Sequence, residues 1–497
     1  MTPTLSAAFL REYARRPLNV VLLAVVPIVF VTLSAGVMVD FAEILGSLAD
    51  LGSIEAATAG WAAAVLAGVG GFFQVIGSRD ADRRLAAAGS GTRAVVTARL
   101  VSGLTLALVA TAGSLVALQL RAGINDLPRT VAVTLMFALI YLGIGSAVGA
   151  VVRDELNGSL IVLFIWMFDL FLGPGFSGGQ NIAVRVFPTH FPTLVLLGLD
   201  SGHSTATTDL LLSAAWTIGS LALAVALLVR TTRPLTPSHV RRLPAGLSRA
   251  ATALAYAFRQ YRRNVVMWVL LVGLPVAFIT LSFIVTPEQP AAVELVEGGR
   301  TAISVVSMVD VHGAIMAPIT IAFLSGITGL FVVLGSAQAD RRLVQAGFRT
   351  TEVLAARLGI IWGAALAITG VSLAVTGANF TPQQWATFIT ANVLVALTYG
   401  MIGVIFGTLA GRLGGLYLII TIPFIDVGVA QNVMFDAAPP SWARFMPSHG
   451  AIRLLVDGAF TPTFDETGAL LAGLAWLAAV TAVGIGVFHH LARPARI

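Results

Sequence analysis

The chain has 497 residues, 57% of them hydrophobic and only 11% charged, whereas a soluble domain carries about twice that share of charge, so a water-soluble fold of this size is excluded. Cysteine is absent, which removes disulfides, thiolate catalysis and cysteine metal sites. Lysine is absent too, so all 30 basic residues are arginines and these residues hold no GxxxxGKS/T phosphate-binding loop.

Apolar stretches recur along the whole chain, each near the ~20 residues that cross a bilayer core as a helix. They predict an all-α polytopic membrane protein with twelve spans. The first six are Leu18–Val39, Ala56–Ile76, Leu100–Leu120, Val131–Val152, Gly158–Gly173 and Leu210–Val229. The second six are Val265–Val285, Ala314–Leu334, Leu358–Val375, Phe388–Ala410, Leu416–Ala430 and Ala469–Phe488. The segment Met1 to Arg16 is polar and basic, and the apolar run after it is too long for the core of a cleavable signal peptide.

Arginine sets the expected orientation. With the N-terminus inside, all but Arg121, Arg129, Arg185, Arg300, Arg444 and Arg453 fall in cytoplasmic segments. Acidic residues lean the other way, with Asp40, Glu43, Asp50, Glu55, Glu288, Glu294 and Glu297 in outer loops. The positive-inside rule then places both termini in the cytoplasm of a multi-pass protein of the cytoplasmic membrane. The net charge of +6 reads as this basic face against anionic lipid, not as a nucleic-acid surface.

The chain repeats itself. Gly77-Ser78-Arg79-Asp80-Ala81-Asp82-Arg83-Arg84-Leu85 returns 258 residues later as Gly335-Ser336-Ala337-Gln338-Ala339-Asp340-Arg341-Arg342-Leu343. The same offset relates Ala98-Arg99-Leu100 to Ala356-Arg357-Leu358, and Tyr141, Gly145 and Gly149 to Tyr399, Gly403 and Gly407. Pro27 to Ser34 matches Pro275 to Ser282 at an offset of 248, so the ten extra residues lie in the first outer loop of the second half. Further on, Pro188-Thr189-His190 parallels Pro447-Ser448-His449, and Asp169 parallels Asp426. An even number of spans per half makes the repeats parallel. The expected organisation is residues 1–230 and 251–497 as six-helix halves, joined by a cytoplasmic linker over 231–250.

Several features carry function or structure. The loop after span two in each half, with Asp82-Arg83-Arg84 or Asp340-Arg341-Arg342, is a charged helical hairpin that Gly89 or Gly347 can end. Topology needs only positive charge, so retention of the whole pattern in two drifted halves favours docking to a soluble partner. Phe9 to Arg16 and Tyr256 to Arg263 read as interfacial helices. Asp169 and Asp426 lie in the fifth and eleventh spans, where a carboxylate must face protein or water; each is either a pathway-lining acid or a cap on a helix start. Thr189 or Ser448 is the expected N-cap of a short re-entrant outer helix that follows Pro188 or Pro447. His190 and His449 are too few ligands for a metal site by themselves, and no metal is expected. Gly60, Gly68, Gly70, Gly71, Gly326 and Gly329 stud the second span of each half, for close helix packing or for a cavity wall.

The six-helix half, its basic amphipathic lead-in, the charged helical loop after span two and the broken outer segment between spans five and six together resemble the ABC type-2 permease family. The resemblance covers nearly the whole chain, twice. It implies that Asp82, Arg83, Arg84 and Gly89, with Asp340, Arg341, Arg342 and Gly347, form coupling loops that dock two copies of a separately encoded ATPase. It implies an exporter of an amphipathic drug, antibiotic or lipid, with Phe72, Phe73, Gln74 and Phe331 beside the pathway and short outer helices at Pro188-His190 and Pro447-His449 roofing it. The chain itself would catalyse nothing and bind no cofactor, ATP and Mg being used by the partner. The alternative is an ion-coupled secondary transporter, for which only Asp169 and Asp426 offer ionisable groups in mid-span.

Overall fold

The computed structural model describes residues 2–15, 17–47, 49–177, 182–198, 204–232, 265–345 and 350–492. Residues 233–250 of the expected linker, the expected interfacial helix Tyr256 to Arg263, and Gly347 lie outside the described residues. The chain divides into two units, Met1–Arg242 and Leu243–Ile497.

In the first unit the order is α1 (Thr2–Ala14), α2 (Pro17–Ile44), α3 (Leu51–Ile76), α4 (Arg79–Leu85), α5 (Thr92–Arg121), α6 (Leu127–Val151) and α7 (Glu155–Phe171). Then follow α8 (Pro174–Ser177), α9 (His190–Leu197) and α10 (Ala206–Thr232). Aspartates start three of the long helices, because a carboxylate satisfies an amide with no partner inside the helix. Ser53 N–H donates to Asp50 at 3.0 Å, Arg129 N–H to Asp126 at 3.1 Å and Asn157 N–H to Asp154 at 2.9 Å.

In the second unit α11 (Val265–Val285) leads into a hairpin, β1 (Pro290–Glu297) and β2 (Arg300–Ser307). The strands are antiparallel, with Pro290 opposite Ser307 and Glu297 opposite Arg300. This hairpin is the one sheet among the described residues, and it stands in the outer segment where the offset grows by ten residues and a loop was expected. After it come α12 (Met308–Gln345), α13 (Thr350–Asn379), α14 (Trp385–Pro423) with a π-helical extension over Phe424–Ala430, α15 (His449–Phe460) and α16 (Thr467–Ala492).

Eleven of these helices are long and apolar enough to cross a membrane, among the described residues. The chain is therefore a polytopic helical membrane protein. Eleven are seen where the sequence predicts twelve because the tenth and eleventh expected spans form one continuous stretch, Trp385–Ala430, of 46 residues. At 1.5 Å per residue such a stretch would be roughly 70 Å long, over twice the hydrocarbon thickness. It is broken inside: Gly411 has φ 70° and ψ −164°, outside any helical region. In the first unit the matching position is Arg153, in the short break between α6 and α7.

One helix in each unit is buried almost throughout, α3 in the first and α12 in the second. Each packs along the helix that starts the fourth apolar stretch of its unit, α3 on α6 and α12 on α14. Glycine makes the close approach possible. A Cβ on Gly145 would collide with the carbonyl oxygen of Gly68, and one on Gly403 with that of Gly326. Gly329 meets the Gly400 carbonyl in the same way. Close packing thus accounts for these glycines of span two.

Candidate functional site

The charged loop of the first unit is held by a buried ion pair. Arg99, on the first turns of α5, donates from Nε and Nη2 to Asp82 of α4 at 2.9 and 2.8 Å. The Ser78 hydroxyl donates to the same carboxylate at 3.2 Å. Both charged side chains are buried, Asp82 at 4% and Arg99 at 7% exposure, so Asp82 braces the loop from inside its own unit. On the far side the Arg99 guanidinium lies 3.6 Å from the ring centre of Phe9, a cation–π contact. Phe9 is on α1 and packs with Val95 and Ala98 of α5 and against Leu85. The amphipathic N-terminal helix is thereby latched to the loop.

The second unit repeats the arrangement. Arg357 donates to Asp340 at 3.0 Å from Nε and 2.7 Å from Nη2, and the Ser336 hydroxyl donates to Asp340 at 2.9 Å. The local backbone differs, however. In the first unit α4 is a separate short helix closed by a π-helical turn, Ala86–Ser90, with Gly89 at φ 98° and Gly91 at φ 75°. In the second unit Asp340 and Arg342 ride on the last turns of α12 itself. The short charged helix is thus separate in the first unit and continuous with the long preceding helix in the second.

The arginines beside the strut have different fates. Arg83 is half committed: its Nε donates to the Thr231 carbonyl at the end of α10, at 2.7 Å. Arg84 is exposed, and its Nε donates to the Asp80 carbonyl one turn back, at 3.2 Å. Arg342 is exposed as well. Arg79, which has Ala337 as its counterpart, donates to the carbonyls of Gly149 and Val152 and pins the loop to the end of α6.

The second repeated cluster joins three features that the sequence shows apart. Tyr141 of α6 donates to Asp169 of α7 at 2.7 Å, and the Thr189 backbone N–H donates to the same carboxylate at 3.1 Å. In the second unit Tyr399 donates to Asp426 at 2.6 Å, and Ser448 donates from its N–H at 2.9 Å and its hydroxyl at 2.6 Å. Asp169 and Asp426 are 3% and 0% exposed, and both tyrosines are fully buried. Each aspartate therefore anchors the amide ahead of a short helix, α9 or α15. Thr189 and Ser448 hold the N-cap positions, but neither makes a side-chain capping bond; the distant carboxylate instead binds the N-cap residue's own N–H.

Comparison with known proteins gives no match, either to a family model or to a curated protein.

Phe72 is fully buried and Phe331 nearly so. Phe72 fits against Gly158, where a Cβ would strike its ring, and makes an edge contact with Phe73. Gln74 donates to the Arg99 carbonyl at 3.2 Å and to the Ser102 hydroxyl, which ties α3 to α5. His190 is buried against the Phe191 ring. His449 has Nδ1 3.0 Å from Gln431 Oε1; burial, with Arg453 nearby, pushes its pKa below the ordinary value. No group of three or more His, Cys, Asp or Glu is arranged to hold a metal among the described residues.

One junction has no sequence signal. Arg453 of α15 pairs with Glu294 of β1 at 2.6 Å and with Glu466, just before α16, at 2.7 Å. Together with the Gly298 N–H, which donates to Asp465 at 3.0 Å, it ties the hairpin, α15 and α16 at one end of the second unit.

Proposed function

We propose that the chain is the membrane-spanning part of an ATP-driven ABC-type exporter, made of two parallel six-helix halves. The observation that carries this reading is the Ser–Asp–Arg strut, repeated at one offset, which stiffens the base of an arginine-rich loop while leaving Arg84 and Arg342 exposed. A rigid, basic projection transmits a push; a solvated loop does not. Counting the break at Gly411 as a turn between two spans makes twelve, matches the break at Arg153, and returns both termini to the cytoplasmic side that the arginine distribution favours.

No lysine is present for a phosphate-binding loop, so two separately encoded ATPase subunits supply the energy, using ATP and Mg. Closure of the ATPase pair would draw the loops together and open the halves outward, in alternating access. The cargo is an amphipathic small molecule, by the resemblance to type-2 permeases. Asp169 and Asp426 are engaged as anchors for α9 and α15, which leaves little for proton or ion coupling.

The test is reconstitution with candidate ABC ATPase subunits from the same genome. One of them should co-purify with the chain, and Arg84→Glu with Arg342→Glu should abolish co-purification while leaving the thermal midpoint of the chain unchanged. Transport by proteoliposomes that contain no ATPase would overturn the reading.

A further inference from the structure

The two units differ at one corner. In the first, Arg121 closes the end of α5: its Nη1 donates to the Thr32 carbonyl at 2.7 Å and its Nε lies 3.6 Å from Glu55 on the first turns of α3. The residue at the same repeat offset in the second unit is Asn379, at the end of α13. Its amide donates back to the Val375 carbonyl at 3.0 Å, so it does not reach across. The acid of this corner is retained: Asp310 stands on the first turn of α12, one helical turn before the position that matches Glu55. No hydrogen bond or ion pair engages Asp310 among the described residues. Where the first unit has an internal cation, the second has a carboxylate facing a space.

That space is an open cleft of about 380 Å³ with mainly polar walls. Asp310, Ser307, Asn379 and Gln383 line it together with Phe380 and Phe460. The two rings lie 5.9 Å apart, tilted by 53°. The floor is fixed, because the Gln383 and Gln384 N–H groups donate to the carbonyls of Ala459 and Gly458 at 3.2 and 2.8 Å. A carboxylate with amide and hydroxyl groups around one cleft is the chemistry that recognises an ammonium with polar substituents: charge pairing on one side and hydrogen bonds on the other.

We propose that this pocket, at the end of α12 remote from Asp340, binds a small organic cation, an ammonium bearing hydroxyl or amide substituents, in the role that Arg121 plays in the first unit. The site does not depend on the export reading, since binding needs no ATPase. Choline is the probe, and its uncharged isostere 3,3-dimethyl-1-butanol is the control. The purified full chain in nanodiscs should bind choline by calorimetry and should not bind the alcohol. Asp310→Asn keeps the shape and removes the charge, and should weaken choline at least about tenfold. Asn379→Arg places a tethered cation opposite Asp310, as in the first unit, and should abolish choline binding while raising the thermal midpoint. The raised midpoint distinguishes occupation of the corner from misfolding. Equal binding of choline and the alcohol, undiminished binding by Asp310→Asn, or no binding of choline by the native chain would each overturn the proposal.

Discussion

Arg99 and Asp82 form a two-pronged ion pair, 2.8 Å at its shortest, in which both side chains are buried. Burying two charges is costly, and the cost is recovered only when the geometry is good and the remaining lone pairs are occupied. Ser78 and the Phe9 ring supply that completion. The pair is thus a unit: removing one member leaves the other charged and unmatched.

Asp82→Ala or Arg99→Ala should cost about 3–5 kcal/mol. Because Arg83, Arg84 and Arg93 lie on the released loop, trypsin should cut there faster in the variant, as peptide mapping would show. Replacing both residues by leucine should recover much of the loss. A double variant whose loss equals the sum of the two single losses would mean that the charges are not coupled.

Tyr141→Phe removes one donor from a buried carboxylate and should cost about 1–3 kcal/mol. Tyr399→Phe should do the same, since Asp426 also keeps its backbone donor. Asp169→Leu should cost more, because the Thr189 amide then loses its acceptor. Thermal unfolding in detergent would rank the three; a Tyr141→Phe variant less stable than Asp169→Leu would contradict the anchoring role.

Gly145→Ala and Gly403→Ala should sharply reduce the yield of folded protein, because the new methyl meets the carbonyl of Gly68 or Gly326. Gly219→Ala and Gly363→Ala, with open space at the Cβ position, are controls that should be neutral or slightly stabilising. Size-exclusion profiles of the four variants make the comparison.

The cysteine-free chain suits single-cysteine labelling. Arg412→Cys, next to the Gly411 break, should react with a membrane-impermeant maleimide from the same side as Arg84→Cys. Labelling from opposite sides would remove the turn at Gly411 and with it the count of twelve spans. Gly411→Ala should itself cost about 1–3 kcal/mol, since φ 70° with ψ −164° is a glycine conformation.

Much of the candidate site was legible as fragments. The repeat showed Tyr141 with Tyr399, Asp169 with Asp426, and Thr189 with Ser448 as three separate correspondences. It gave no reason for them to touch, because residues 20 to 49 positions apart meet only when helices turn back and pack. Arg99 and Arg357 were visible inside a matched triplet, yet their partners were read as docking contacts. Charge alone does not say whether a residue points to a partner protein or into its own fold.

Arg84 and Asp82, two residues apart, show the division most clearly. Hydropathy determined that this chain is membrane-spanning, and the 258-residue offset and the arginine placement are legible in the sequence alone, because those properties belong to the order and sums of its residues. Which charge is free and which is spent was decided only by the tertiary structure. The same holds for Arg121 and Asn379, for the hairpin where a loop was expected, and for the eleventh span fused to the tenth through Gly411. Each depends on a contact or a backbone angle set by packing, and packing is not additive along the chain.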